Sequence, residues 1–394
     1  MITAAEYGAE DNEASRAARQ RVLSYIKIGT DEQQRLIEYC TKNIPRDRYV
    51  PMDQKFMNFS ADTWGSGDNN PLCINYNRDG KSEPIKVHQH AIGQLCDLFD
   101  MPRMYAGKLN VTSKDAWRRY LLAHNFNMLF SHQLFTNRKK QPAKFLHRLV
   151  GDELRAVLTQ SYNRHLLSAT MLQPFLAAIT EVGAKPAKAT ITDMRVHLQC
   201  YLPYVFMPIP GEYVAMGVAW SNSDFGQGKL KISHTVMRLN GFGNLVTDDT
   251  FSRVHLSSVV EETDLQLDDL VAKKELEAVA AATMSAVREV LKPEQVKKVL
   301  DAITAAHNEK VPWHELKNHL AKFLSKKDLT TVETMMNERI QDLPPAGVDS
   351  AGNPLLSKWW ASSVLAHLAE KSVDAGESMQ LKQAAGTFLK PPGE

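Results

Sequence analysis

The stretch from Asp193 to Leu256 constrains the fold more than any other part of the chain. Asp193–Leu202 alternates, with Met194, Val196, Leu198 and Cys200 on one face. Tyr213–Ser221, Lys229–Leu239 and Thr250–Leu256 read as three further strands. Pro203, Pro208, Pro210-Gly211, SNSDFGQG and NGFGN break the chain between them. These connections are too short for helical crossovers, so the strands are expected to pair antiparallel. Upstream, Lys144–Leu149 and Leu154–Thr159 predict a hairpin that turns at Gly151-Asp152.

Helical periodicity surrounds this centre. A short helix is expected over Glu32–Lys42, one from Val87 that Pro102 ends, one over Lys114–Phe130 and one over Ser168–Val182. From Asp264 the chain is helical to Leu291, then from Pro293 to His307, from Trp313 to Gln341, and over Leu355–Lys371 and Glu377–Leu389. Residues 60–84 are rich in Gly, Asn, Asp, Ser and Pro and read mostly as loop, with a possible short strand around Leu72–Tyr76. The expected fold class is therefore α+β: a central antiparallel sheet with flanking helices and a helical C-terminal third. Residues 1–50 read as an N-terminal arm and short helix, 51–262 as the α+β core and 263–394 as the helical region.

The chain has 394 residues, of which 43% are hydrophobic and 23% charged, enough to bury a core without a disulfide or metal staple. Cys40, Cys73, Cys96 and Cys200 are too widely spaced for a zinc ribbon and read as reduced thiols. The first residues, MITAAEYGAEDNEASRAARQR, lack the apolar core of a signal peptide, and no window suits a membrane span. A protein of the cytoplasm with no membrane partner is the expectation.

The net charge of +2 hides an asymmetry. Twelve basic residues lie between Arg103 and His165: Arg103, Lys108, Lys114, Arg118, Arg119, Arg138, Lys139, Lys140, Lys144, Arg148, Arg155 and Arg164. Three acids oppose them, so the segment carries +9 and the rest of the chain −7. Trp117, Tyr120, Phe126, Phe130, Phe135, Phe145 and Tyr162 are interleaved with the charge. Cations neutralise phosphates and exposed aromatic rings stack on bases, so this is the composition of a nucleic-acid surface. The same residues also suit solvated helix faces around an aromatic core. On the nucleic-acid reading, Arg138, Lys139, Lys140, Lys144, Arg148, Arg155 and Arg164 contact phosphates and Tyr162 stacks, with Lys229 and Arg238 extending the path.

No catalytic or metal motif stands out, and no cofactor is called for. His88 and His90 form an HxH that enters a helix, where i and i+2 point apart. Ser221–Gly228 is the most distinctive string: Gly226 and Gly228 permit a tight turn, and Asn222 and Asp224 can bond the local backbone or a ligand. It lacks the spacing of a phosphate-binding P-loop. An enzyme site at Ser221–Gly228 requires a deep pocket near Asn222, Asp224 and Arg238. A third possibility is a protein-interaction factor, either a host-directed inhibitor or a virion-associated component, with Trp359-Trp360 in its interface.

Four stretches, in order, resemble the phage/plasmid-like family called domain of unknown function 932. They are FDMPRMYAGKL (Phe99–Leu109), LVGDELRAVLTQSYNRHLLSATML (Leu149–Leu172), AWSNSDFGQGKLKISHTVMRLNGFGNLV (Ala219–Val246) and the tail KWWASSVLAHLAE with LKQAAGTFL. The family often carries a cysteine after the arginine of the third stretch, where Phe242 and Gly243 stand here, so the resemblance implies no thiol chemistry. It implies a phage or mobile-element accessory protein in a bacterial cytoplasm. The function expected from charge and resemblance together is binding or annealing of single-stranded DNA in recombination or replication, by a possible homo-oligomer in which the acidic Glu261–Glu277 stretch meets a neighbour's basic segment.

Overall fold

The computed structural model describes residues 12–61, 71–78, 81–110, 116–132, 143–239, 244–253, 255, 269–337, 347–348, 354–372 and 374–389. The fold is α+β, with two six-stranded sheets, a small third sheet and helices concentrated in the C-terminal part.

The first sheet has the order β1-β5-β6-β4-β3-β2. Its strands are β1 (Arg46–Pro51), β2 (Met57–Ser60), β3 (Cys73–Arg78), β4 (Lys81–Val87), β5 (Lys144–Val150) and β6 (Glu153–Thr159). All neighbours are antiparallel except β4 and β6, which run parallel. The β5–β6 hairpin turns at Gly151, whose φ of +60° is a conformation that costs glycine little. Helices α2 (Gln89–Leu98), α3 (Arg103–Leu109) and α4 (Ala116–His132) cover one face of this sheet. Leu95, Phe99, Phe126 and Phe130 pack there on Val50, Ile74, Ile85 and Leu149.

The second sheet has the order β12-β11-β10-β8-β7, and β9 also pairs with β10. Its strands are β7 (Lys185–Ile191), β8 (Val196–Tyr201), β9 (Phe206–Ile209), β10 (Glu212–Asn222), β11 (Leu230–Arg238) and β12 (Asn244–Arg253). Every pairing in it is antiparallel, as the short connections require. Helix α5 (Ser168–Glu181) and helix α6 (Asp269–Val290) bring Phe175, Met171 and Val287 onto Trp220, Leu198 and Ile232. Helix α1 (Glu13–Lys42) crosses the same sheet, with Ala18 and Val22 against Tyr201, Tyr213 and Met237.

The helices after residue 263 share a core with this sheet. Helices α7 (Pro293–Asn308), α8 (Trp313–Leu320), α9 (Lys326–Asn337), α10 (Lys358–Lys371) and α11 (Ala375–Thr387) pack around Trp359, Leu300, Leu320 and Phe388. Val214, Met216 and Val236 of β10 and β11 belong to that cluster. The third sheet, β13 (Lys310–Pro312), β15 (Pro354–Ser357) and β14 (Gly347–Val348), lies in this region. Trp359 and Trp360 are 0% and 3% exposed, so they hold the core and do not form a docking surface.

Several local readings change. Residues 1–11 of the expected N-terminal arm lie outside the described residues. The rest of the arm and the short helix form one helix from Glu13 to Lys42, whose buried stripe of Ser15, Ala18, Val22, Gly29, Leu36 and Cys40 is mostly small residues that carry little periodic signal. Within residues 60–84, the short strand expected around Leu72–Tyr76 is β3, and the start of β4, read as loop, is strand as well. Among the described residues, no helix is long and apolar enough to cross a membrane.

Candidate functional site

The Ser221–Gly228 string turns out to be a clasp between the two sheets. It follows β10, and its backbone carbonyls are held one after another by side chains from elsewhere. The Tyr162 hydroxyl donates to the Ser223 carbonyl at 3.1 Å and Arg148 to the Asp224 carbonyl at 2.5 Å. His90 Nε2 and Gln94 Nε2 reach the Phe225 carbonyl at 2.9 and 3.1 Å, both from α2 on the first sheet. Asp224 Oδ1 accepts from the Ser168 backbone at 2.7 Å and from its hydroxyl at 2.9 Å, which pins the start of α5. Phe225 packs with Leu146, Leu158 and Met194 between the sheets.

Gly226 has a φ of +78°, and a Cβ there would stand 2.5 Å from Leu158 Cδ2. A Cβ on Gly228 would meet the Arg195 guanidinium. Gly226 is therefore needed for its left-handed backbone, while at Gly228 the neighbour is the end of a flexible side chain. Asn222 is fully buried, with its amide on the Leu166 carbonyl at 3.1 Å and its oxygen 2.8 Å from His255 Nε2. Burial raises the Asp224 carboxyl above its ordinary range, against the opposing pull of the Ser168 N–H and Arg148. Burial lowers His255 to about 4. The cleft beside Cys40, Asn43, Asp193, Arg195 and Asp224 encloses about 10 Å³, room for one water. Arg238 is not part of it. Arg238 pairs with Val214, at the other end of β10 from Asn222, roughly 26 Å away at the rise of an extended strand. Of the three polar groups expected to converge, Asn222 and Asp224 meet at 3.3 Å and Arg238 stands apart.

The expected phosphate contacts separate into two groups. Arg148 is 1% exposed. Its Nε lies 2.9 Å from Asp47 Oδ1 across the β1–β5 pair, and its Nη2 donates to the Arg164 carbonyl at 2.7 Å. The guanidinium also lies over the Tyr162 ring at 5.2 Å. Tyr162 is 7% exposed and stacks on His255 at 5.1 Å, so its ring is occupied from within and offers no face to a base. Arg155 pairs with Glu153 at 2.6 Å and approaches Asp193 at 3.8 Å. Arg238 is 4% exposed, pairs with Glu212 at 2.7 Å and lies over Trp359. A buried cation bound to its own carboxylate cannot neutralise a phosphate, so Arg148, Arg238 and Tyr162 are fold-holding residues and Arg155 is largely committed.

Lys144, Arg164 and Lys229 are exposed. Lys229 lies on the second sheet, just before β11. Lys144 and Arg164 lie at the β1–β5 margin of the first sheet. Tyr49 is opposite Leu146 in the register, so Tyr49 and Lys144 point to the same face. The Arg164 guanidinium sits 5.8 Å from the centroid of the Tyr49 ring, which is 41% exposed. Tyr49 was not among the expected contacts, because it stands in a six-residue strand with no local pattern, 115 positions before the arginine that reaches it. Arg138, Lys139 and Lys140 lie outside the described residues.

His88 caps α2, its Nδ1 accepting the His90 backbone N–H at 3.2 Å. Among the described residues, no group of three His, Cys, Asp or Glu side chains is placed to hold a metal ion. No family model, curated protein or solved structure matches the chain.

Proposed function

We propose that the chain binds single-stranded nucleic acid, as an accessory protein of a phage or mobile element, and that the strand lies along the exposed β1–β5 margin of the first sheet. The observation that carries this reading is the meeting of Arg164 with the exposed Tyr49 ring on the edge strand β1, with exposed Lys144 on the same face; further into the sheet that face is closed by the packing of Phe225 on Leu146. Two cations beside an exposed aromatic ring match the backbone-plus-base chemistry of an unpaired strand, and a duplex offers no free base to stack. The chain that leads into Lys144 carries Arg138, Lys139 and Lys140, and its segment from Arg103 to His165 holds the +9. The mobile-element context rests on the four resembling stretches.

This site differs from the broad basic sheet anticipated in the sequence, since Arg148, Arg155 and Arg238 leave it. The test is a salt titration of a labelled 30-nucleotide strand followed by fluorescence anisotropy. The logarithm of the binding constant should fall linearly with the logarithm of salt, by about 0.7 per phosphate contacted. Replacing Lys144 and Arg164 together by Ala should reduce the slope by about 1.4. Absence of binding at low salt, or a slope the double variant leaves unchanged, contradicts the assignment.

A further inference from the structure

Helix α4 is apolar on two opposite faces. One face is core: Leu122, Ala123, Phe126 and Phe130 are buried among the first-sheet residues. The other carries Trp117, Tyr120, His124 and Met128, spaced at three and four residues, so they form one stripe. Trp117, Tyr120 and Met128 are 57%, 52% and 49% exposed. Tyr120 and His124 stack at 6.4 Å, and the Arg118 guanidinium lies 5.7 Å from the Trp117 ring. Met104 of the neighbouring α3 is 78% exposed beside this stripe's helix, where Tyr105 meets Asn125. An amphipathic helix on a sheet should turn a polar face outward, and this one does not.

We infer that the outer face of α4 is a second contact surface for the same single strand, a stacking platform for its bases; this rests on the nucleic-acid reading above. Charge argues for that occupant. Neither α3 nor α4 contains an Asp or Glu, while Lys108, Arg118, His124 and His132 lie along them; Arg103 is paired with Asp97 of α2. Chain order places α4, which ends at His132, just ahead of β5, which starts at Lys144, and Tyr49 points to the sheet face opposite the one α4 covers, so a strand that meets both surfaces passes round the sheet. The stripe from Trp117 to Met128 is about 16 Å long at the helical rise, a span along which several bases can be held. Stacking on rings is tolerant of sequence, so the platform adds affinity without base preference.

The test compares the whole protein with the double variant Trp117→Ala/Tyr120→Ala on a 30-nucleotide polythymidine strand, over a range of salt. The expected result is a loss of affinity of tenfold or more with the salt slope unchanged, since stacking releases few counterions. The variant Trp117→Phe keeps a ring, so its affinity should stay within about twofold of the parent while the strand-induced quenching of tryptophan fluorescence diminishes. Binding by the parent with no loss in the double variant overturns the platform and leaves the sheet-margin reading standing. No binding by the parent overturns both. A parent that light scattering shows to be dimeric, with a monomeric double variant of undiminished affinity, would identify the stripe as a contact between copies and overturn the inference.

Discussion

Arg148 and Arg164 meet at one hydrogen bond, yet they do opposite things. Arg148 spends its donors on Asp47, on the Asp224 carbonyl and on the Arg164 carbonyl, all inside the molecule. Arg164 holds its guanidinium over an exposed tyrosine. Replacing Arg148 by Ala leaves a half-buried carboxylate and two carbonyls without their donor, and should destabilise the fold by about 3–5 kcal/mol. Replacing Arg164 by Ala should cost no more than about 1 kcal/mol. Urea unfolding of the two variants measures the difference, and equal losses would show that the clasp is not held by Arg148. In the sequence both are arginines of the same basic segment. What separates them is Asp47, a residue 101 positions away from Arg148 that only the β1–β5 pairing brings across. Burial by a distant partner leaves no local trace, which is why the charge was legible and its accessibility was not.

At the scale of elements, periodicity speaks clearly where large apolar residues recur. The β5–β6 hairpin, helix α5 and the strands β8, β10 and β11 stand within a few residues of their expected limits. Strand β7 was missed because KPAKATI offers only Ile191 as a large apolar residue. It is nonetheless held by α1, and Gly29 shows how closely: a Cβ there would lie 2.0 Å from the Pro186 carbonyl oxygen. An Ala in the middle of a helix normally stabilises it by about 1 kcal/mol relative to Gly. Gly29→Ala should do the reverse, because a backbone oxygen cannot move aside as a flexible side chain can, and overpacking of this kind costs about 1–3 kcal/mol. A thermal melt with a lower midpoint supports the contact; a raised midpoint would place α1 further from β7. Helix α4 shows the opposite limit of legibility. Its aromatic content was plain, but a stripe on each side cannot be sorted into core and surface until the sheet supplies one partner.

For the molecule as a whole, two sheets are joined by a polar clasp, and four histidines are buried in neutral form. Burial lowers His147 and His197 to about 3 and His234 and His255 to about 4, from an ordinary value of 6.5. A depressed folded value means that stability is complete above the unfolded value and is lost as pH falls from about 6.5 toward 4, because the unfolded chain takes up protons that the folded chain refuses. Each histidine contributes up to about 1.4 kcal/mol per pH unit within that window. Asp224, raised by burial, acts in the opposite sense as a single group. Denaturant midpoints taken from pH 7.5 down to pH 4.5 should therefore fall steeply, and a flat profile would mean that these rings are solvated. Such an acid-sensitive frame is best assayed for ligands near neutral pH, where the exposed margin at Tyr49, Lys144 and Arg164 is presented intact. The most direct measurement is the salt dependence of single-strand binding there, parent against Lys144→Ala/Arg164→Ala, with Arg148→Lys as the buried comparison. The account predicts a shallower slope for the exposed pair and an unchanged slope for any Arg148→Lys protein that folds; a slope that moves with Arg148 and ignores the exposed pair would contradict it.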